Sequence, residues 1–309
     1  MSEDILTYRS LNGYLRERFG KKLYKLALDG GFSCPNRDGT LGKRGCSFCL
    51  EGSGSFSSPL GKLSPEDPEE AYREAVFTAI ESAKARVEKK QKEPAYIAYF
   101  QRYTGTYAPY RKLEKLYTAA LSHPETEVLS IATRPDCLPE KTISLLSSLN
   151  RKKPVWVELG LQTIHEETAE RIRRGYPLPV YDDAVKRLKE AGIYVITHMI
   201  IGLPGETREM MRETASYIGH SGADGIKLQL LNVLRGTDLA AEYLQDPFPL
   251  PTLPEYVSIL KDLVKALPPD MTIHRLTGDG AKKDLIAPLW AADKKRVLNT
   301  VRKSLHEQA

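Results

Sequence analysis

Three cysteines lie close together near the start of the chain, in a segment rich in glycine and proline. Eleven residues separate Cys34 from Cys46, and two separate Cys46 from Cys49. Thiolates at this spacing can bind one metal centre, and glycines favour tight turns that expose backbone N–H groups to it. A [4Fe–4S] cluster usually takes four thiolates. Three would therefore leave one iron open to another molecule.

Three interpretations of this cysteine cluster stay open on the residues alone. The first is an iron–sulfur cluster held by the three thiolates. The second is structural zinc, which takes four protein ligands; the segment has no histidine, so Cys137 would be the fourth. The third is a set of buried free thiols. Four cysteines in 309 residues favour metal or redox chemistry over a disulfide framework.

The segments that must position the cysteines alternate between two patterns. Short runs of apolar, β-branched and aromatic residues predict strands, and apolar residues three and four apart predict helices. The predicted strands are 23–28, 96–100, 128–132, 155–161, 194–201 and 225–231, and the predicted helices are 66–88, 110–122, 139–149, 165–174, 180–191 and 206–219. This alternation predicts a parallel sheet of right-handed βαβ units.

Six such units predict an α/β fold, a partial (βα)6 parallel barrel, with a doubly wound open sheet as the alternative. We expect an N-terminal extension over 1–22, the barrel over 23–231, and a C-terminal α/β extension over 232–309 that covers the barrel mouth. Active sites of parallel α/β barrels gather at the carboxyl ends of the strands. The residues just after each strand are therefore the candidates for chemistry.

Composition is that of an ordinary globular protein, with 41% hydrophobic and 28% charged residues. The net charge of +5 permits an anionic partner such as RNA without requiring one. The first residues lack the apolar core of a secretory signal, and no apolar run approaches the ~18 residues of a membrane span. We therefore expect a cytoplasmic protein with no membrane partner.

The cysteine segment, with Phe48 just before the last cysteine, resembles the radical S-adenosylmethionine (SAM) superfamily, and its wide spacing resembles the Elongator catalytic-subunit branch. Motifs in that branch's order follow: YFQ at 99–101, ATRPD at 132–136, VELGLQ at 157–162, RG at 174–175, HM at 198–199, GLP at 202–204 and RGT at 235–237. LDGGF at 28–32, RPDCLP at 134–139 and HRLTGDG at 274–280 resemble more closely a compact bacterial family of the YtqA/YhcC type. This second resemblance runs from about residue 8 to 306.

The resemblance implies a [4Fe–4S] cluster on Cys34, Cys46 and Cys49 whose open iron binds the amino and carboxylate groups of S-adenosylmethionine. Electron transfer from the reduced cluster would cleave the sulfonium and give methionine and a 5′-deoxyadenosyl radical, which abstracts hydrogen from the substrate. The cofactors carry the hard chemistry and the protein orients them. A flavodoxin- or ferredoxin-like electron donor is implied.

Site residues beyond the cysteines follow from the same resemblance. The cofactor-binding candidates are Phe48, Gln101, Thr133, Arg134, Glu158, Gln162, Arg174 and His198, and the substrate-binding candidates are Lys227, Gln229, Arg235, His274, Arg275 and Asp279. Structural alternatives stay open for several of them. Arg134 can pair with Asp136, His198 can be a core histidine, and Cys137 can be an inert loop thiol.

The resemblance also implies a substrate. The Elongator branch modifies the fifth carbon of the wobble uridine of tRNA, and the compact family is associated with converting a carboxymethylaminomethyl group there to aminomethyl. Tyrosines interleaved with arginines over 102–111 could stack bases and contact phosphates: Tyr103, Tyr107 and Tyr110 with Arg102 and Arg111. The chain has no room for an acetyltransferase domain and no second cysteine cluster, so we expect neither acetyl-CoA chemistry nor methylthiolation. The alternatives are radical chemistry on a small molecule or peptide, and a non-catalytic metal-binding RNA-interaction module.

Overall fold

A parallel sheet of eight strands organises the computed structural model, which describes residues 6–50, 57–87, 95–278 and 280–307. The strands of the described residues are β1 (Leu6–Tyr8), β2 (Tyr24–Asp29), β3 (Ser58–Pro59), β4 (Tyr96–Phe100), β5 (Thr126–Thr133), β6 (Val155–Gln162), β7 (Tyr194–Ile201), β8 (Gly225–Leu230), β9 (Val233–Leu234), β10 (Thr272–Arg275), β11 (Leu285–Ala287) and β12 (Leu305–Glu307). The order in the sheet is β10-β8-β7-β6-β5-β4-β2-β3. The six predicted strands thus form its continuous centre.

Side chains that meet across the inner face show that this sheet is curved. Lys25 on β2 reaches Glu158 on β6, and Tyr99 on β4 reaches Lys227 on β8, although each pair of strands is separated by other strands in the sheet. Such contacts need the sheet to close around an interior. The prediction of a partial parallel barrel is confirmed, and the doubly wound alternative is wrong.

Helices cover the outer face of the sheet and bury its main core. They are α1 (Leu11–Phe19), α2 (Glu69–Lys84), α3 (Tyr110–Ser122), α4 (Glu140–Asn150), α5 (Glu166–Arg171), α6 (Leu178–Glu190), α7 (Arg208–His220), α8 (Asp238–Gln245), α9 (Leu253–Ala266) and α10 (Lys294–Ser304). Apolar residues three and four apart on these helices are buried, among them Leu113, Leu146 and Leu188. No helix of the described residues has the length and apolar character to cross a membrane.

Helix α1 closes the amino-terminal end of the barrel. Leu15 of α1 packs in a buried apolar cluster with Ile97, Val128 and Trp156, which come from the first halves of β4, β5 and β6. The bottom of the barrel is therefore filled with apolar side chains. The space that remains open lies toward the carboxyl ends of the strands.

The C-terminal part of the chain adds to the barrel as well as extending it. The short strand β10 pairs in parallel with β8 and places Arg275 beside Lys227. Two small pairings lie outside the main sheet, β11 with β9 and β12 with β1. The division into segments at residues 22 and 231 stays a prediction.

Candidate active site at the barrel mouth

A cavity of about 480 Å³ occupies the carboxyl-terminal half of the barrel. Strands β2, β4, β5, β6, β7, β8 and β10 all contribute lining side chains, because alternate residues of each strand face inward. Cys34, Cys46 and Cys49 line the same cavity. The structure therefore brings the cysteine loop and the strand residues to one place.

The loop that carries the cysteines is held by short turns. The backbone N–H groups of Arg37 and Asp38 donate to the carbonyl of Cys34 at 2.8 and 3.1 Å, and that of Cys49 donates to Cys46 at 3.0 Å. Arg37 also donates from its guanidinium to the carbonyl of Cys49 at 2.6 Å. These contacts fix both ends of the loop relative to each other and leave all three thiols free of disulfides.

The spacing of the three thiols suits a cluster better than a single metal ion. A tetrahedral zinc with Zn–S bonds of ~2.3 Å brings its sulfurs to within ~4 Å of one another. Among the described residues, the sulfurs of Cys34, Cys46 and Cys49 are not all within 4.8 Å of one another. A [4Fe–4S] cluster usually takes four thiolates, and three would leave one iron without a protein ligand. The donor set therefore fits a [4Fe–4S] cluster with three protein ligands.

The environment of Cys46 favours its protonated thiol. Burial raises the pKa of its thiol to about 11, and the neighbouring Cys49 adds to the effect. Without a metal, the thiol of Cys46 is thus protonated at neutral pH. Metal binding displaces such a proton, because the bound form is the thiolate.

Asn36 supports Cys46 from the turn that follows Cys34. Its side-chain N–H group lies 3.5 Å from the sulfur of Cys46 and donates to the carbonyl of Arg173 at 2.8 Å. Gly175 makes room for it: this glycine has a φ of +82°, and a Cβ there would lie 2.8 Å from the Asn36 Oδ1. Hydrogen bonds to cluster sulfurs tune iron–sulfur centres, so this contact links the 174–175 turn to the metal site.

Cys137 is set apart from the other three cysteines. It is 7% exposed, its sulfur lies 3.7 Å from an oxygen of Asp136, and it is absent from the lining of the cavity. Burial raises the pKa of its thiol to about 12, and Asp136 adds to the effect. The four-thiolate zinc site considered from the sequence is therefore not assembled.

Two arginines at the mouth are anchored by protein groups. Arg134 forms a bidentate pair with Asp136 at 2.9 and 2.8 Å and donates to the carbonyl of Arg174. Arg174 is 2% exposed and donates to Glu166 at 2.9 and 3.0 Å. Both arginines line the cavity. Of the two roles considered for Arg134, the structure contains the loop-fixing pair with Asp136.

One fully buried carboxylate gathers five side chains below the cysteine loop. Glu158 accepts hydrogen bonds from neighbours on five other strands: Lys25 at 2.9 Å, Ser130 at 2.8 Å, Tyr99 at 2.9 Å, His198 at 2.7 Å, and Lys227. Burial opposes its ionisation, but Lys227 and Lys25 outweigh burial and hold the pKa of Glu158 well below its usual value. We call this set the floor network.

His198 is a neutral member of the floor network. Burial lowers its pKa to about 4, and the charge of Lys227 lowers it further, against the opposing hydrogen bond to Glu158. Because Nε2 donates to the carboxylate, Nδ1 carries no proton and is an acceptor.

A distorted segment of β6 brings another polar group to the cavity. Gln162 has a φ of +73°, and the pairing of β6 with β7 shifts between Gly160 and Gln162. Its buried Oε1 has no hydrogen-bond partner among the described residues. Bulges and left-handed non-glycine residues are concentrated at functional sites. Gln162 therefore offers an acceptor to a bound molecule.

Most of the predicted site residues meet at this cavity. Its lining includes Phe48, Gln101, Thr133, Arg134, Glu158, Gln162, Arg174, His198, Lys227, Gln229 and Arg275. Arg235 is exposed away from it. His274 lies half-buried at the bottom of the barrel, 5.5 Å from Trp156 between ring centres, in the space that Gly225 leaves open. Asp279 lies outside the described residues.

Sequence reasoning missed two parts of the site. Lys25 and Tyr99 of the floor network lie inside predicted strands, and Asn36 lies in the cysteine loop. A lysine at an inward position of an otherwise apolar strand is the signal that could have found Lys25, because a buried ammonium needs a partner.

A second group of potential metal ligands lies elsewhere and is already filled by a protein cation. Glu81, His123 and Glu125 have ligand atoms within 4.8 Å of one another. The ammonium of Lys84 donates to both carboxylates. This group is a salt-bridge network on the outer surface of the barrel.

The fold and the site agree with comparisons to known families. The model of the radical SAM superfamily matches residues 39–218, and that of the radical SAM C-terminal domain matches residues 223–307. The chain belongs to the radical SAM superfamily. This family is defined by S-adenosylmethionine chemistry, which the three-thiolate site at the barrel mouth fits.

Individual relatives are more specific. The chain is 41% identical over 302 residues to the uncharacterized protein YtqA of Bacillus subtilis, covering 97% of this chain and 90% of that protein. It is 34% identical over 283 residues to YhcC of Escherichia coli, covering 91% and 87%. The resemblance to a compact YtqA/YhcC-type family is thus confirmed.

More distant similarities reach the Elongator branch. Over 114 residues the chain is 34% identical to a tRNA uridine(34) acetyltransferase of Methanocaldococcus jannaschii, covering 36% of this chain and 20% of that protein. The structure of Elp3 from Methanocaldococcus infernus aligns with a TM-score of 0.61 at 19% identity, covering 77% of this chain. The chain spans 59% of that structure's length, and the likeness shows a shared fold.

Proposed function

We propose that this chain holds a [4Fe–4S] cluster on Cys34, Cys46 and Cys49, binds S-adenosylmethionine at the open iron, and modifies the C5 side chain of a tRNA wobble uridine. The specific reaction is conversion of carboxymethylaminomethyl to aminomethyl: the carbon next to the nitrogen would be oxidised, water would add, and the two carbons would leave as glyoxylate, with S-adenosylmethionine taking up the two electrons as it is split into methionine and 5′-deoxyadenosine. The observation that carries the proposal is the set of three thiols at the mouth of a polar cavity, with the fourth cysteine turned away. The cofactors, when bound, supply a 5′-deoxyadenosyl radical.

The residues of the chain orient the reactants and exclude water. Arg134 and Arg174 are locked by acids outside the cavity and so keep the 134 and 174 turns in place around the cluster loop. Gln162 and Gln229 offer amide groups to the bound molecules. The apolar layer at the bottom of the barrel, which α1 closes, keeps bulk water from the lower end of the cavity. Excluding water protects a reactive intermediate.

Two observations support an RNA substrate over a small molecule. Tyr103 lines the cavity with a φ of +58° and lies under two guanidinium groups, Arg102 at 5.1 Å and Arg37 at 5.9 Å from its ring centre. Aromatic rings beside arginines stack unpaired bases. The sequence similarity to tRNA uridine(34) acetyltransferases supports the same class of substrate.

Two experiments test the proposal. Anaerobically reconstituted protein with dithionite and S-adenosylmethionine is expected to form 5′-deoxyadenosine, and Cys34→Ala to form none. A protein that binds tRNA tightly but never forms this product would be the non-catalytic module instead. Nucleoside mass spectrometry of tRNA from a strain lacking the gene is expected to show carboxymethylaminomethyluridine accumulating; an unchanged wobble-uridine profile would remove the tRNA substrate.

A further inference from the structure

The floor of the cavity carries more positive than negative charge. Lys25 on β2 and Lys227 on β8 both donate to the same carboxylate, Glu158 on β6. Arg275 on β10 lines the cavity in register with Lys227. Among the lining residues that the structure describes, Glu158 is the one acid. Two ammonium groups therefore share one negative charge.

The other cations of the lining are already accounted for. Arg134 is paired with Asp136, Arg174 with Glu166, and Arg37 with the carbonyl of Cys49. Lys25 and Lys227 are thus the two lining cations that share a single carboxylate, that of Glu158.

Both lysines have donor capacity left for a ligand. An ammonium group has three N–H donors. Lys227 uses two of them, on Glu158 and on the hydroxyl of Tyr99 at 2.9 Å, and Lys25 uses one on Glu158. Lys25 keeps 20% of its side chain exposed, and both lysines line the cavity. An anion entering the cavity can therefore receive charge-assisted hydrogen bonds from two sides.

The electrostatics of Lys227 also favour a bound anion. Burial lowers the pKa of its ammonium well below the usual value, and the contribution of Glu158 does not restore it because Lys25 and Arg275 act against it. A second negative charge at this place would stabilise the protonated form.

We propose that Lys25 and Lys227 form a subsite for a carboxylate of the substrate. The inference rests on the proposed function, in which the substrate side chain ends in a carboxymethyl group. In the proposed function, the carboxylate of S-adenosylmethionine would bind at the open iron, which Cys34, Cys46 and Cys49 would hold at the mouth. Lys25 lies four residues before the end of its strand, roughly 13 Å lower along it. A carboxylate on the floor holds the adjoining methylene between the lysines and the mouth.

The test uses cluster-loaded protein with S-adenosylmethionine and two small probes, N-ethylglycine and its amide, N-ethylglycinamide. Calorimetry is expected to show that wild type prefers the acid by about tenfold or more, since hydrogen bonds to charged groups contribute ~1.5–3 kcal/mol. Lys227→Met should lose most of this preference and Lys25→Met part of it. Lys265→Met, on the exposed face of α9, should keep it. Iron content and the melting temperature verify that each variant folds.

Each other outcome decides against the subsite. Equal affinity for acid and amide, or an unchanged preference in both cavity variants, overturns it. So does a Lys227→Met protein that loses affinity for S-adenosylmethionine instead, because the floor then serves the cofactor. The tRNA profile of the deletion strain is independent of these results. If that profile is unchanged while the acid preference holds, the wobble-uridine substrate fails and the carboxylate subsite stands.

Discussion

The carboxylate of Glu158 and the ammonium of Lys227 form a fully buried ion pair between the fourth and sixth central strands, and Lys25 adds a second ammonium to the same carboxylate. The pair joins strands that are not neighbours in the sheet. Its geometry makes the floor network a structural element of the barrel as well as part of the cavity.

Glu158→Gln is expected to destabilise the protein by about 3–5 kcal/mol, because two buried cations lose their counter-charge. Denaturant unfolding of the cluster-free protein measures the loss. Glu127→Gln is the matched control: Glu127 pairs with Lys21 at 3.0 Å, but both side chains are more than a third exposed. Such a pair contributes ~0–1 kcal/mol. Equal losses in the two variants would contradict a buried, uncompensated charge.

Cys34→Ala, Cys46→Ala and Cys49→Ala should each lose most of the bound iron, whereas Cys137→Ala should retain the wild-type amount. The reason is that three thiols line the cavity and the fourth does not. Iron analysis and the visible absorption of anaerobically reconstituted protein check this. Loss of iron in Cys137→Ala would show that the cluster has four protein ligands and would remove the proposed function.

Gly175→Ala should weaken the metal site more than Gly192→Ala does. Both glycines have positive φ values, +82° and +73°, so alanine strains each by ~1–2 kcal/mol. A Cβ at 192 meets nothing within 4 Å, but one at 175 lies 2.8 Å from Asn36. Displacing Asn36 removes its contact with Cys46. Iron loss to a chelator should therefore be faster in Gly175→Ala only; equal rates would rule out a role for Asn36.

His198 should make the protein less stable in mild acid. Its pKa is about 4 in the folded chain against an ordinary 6.5, so the unfolded chain takes up the proton first as the pH falls. Stability is lost from about pH 6.5 downward, by ~2 kcal/mol between pH 7 and pH 5. His198→Gln should show a correspondingly smaller loss over that interval in urea titrations. An identical loss in both proteins would place the titration elsewhere, for example at His274.

Binding of N-ethylglycine should weaken as the pH rises, because the subsite needs protonated Lys227 and burial lowers the pKa of that group. The charged and titratable groups facing Lys227 come from five strands: Lys25, Tyr99, Glu158, His198, His274 and Arg275. Calorimetry at several pH values checks the trend. The amide probe should show a weaker dependence, and parallel curves for the two probes would contradict the assignment to Lys227.

Much of the barrel, and the place of the cysteine loop at its mouth, could be predicted because both follow from local patterns. Apolar runs at strand length mark buried parallel strands, and the cysteine spacing marks a metal loop. The floor network could not be predicted in the same way, since Lys25 and Glu158 are 133 residues apart and meet only because the sheet curves. The places of His274 and Arg275 depend on the strand register, which a sequence pattern does not give. The pairing of β10 with β8 is irregular here, so the His274 ring lies at the apolar bottom and the Arg275 side chain lines the cavity.

The seal that α1 makes beneath the barrel has a consequence for access. Because Leu15 packs against Ile97 and Trp156 at the bottom of the barrel, molecules enter the cavity from the side of the cysteine loop. A side chain that reaches Lys25 and Lys227 therefore passes the cysteine loop on its way in, and the product leaves by the same route.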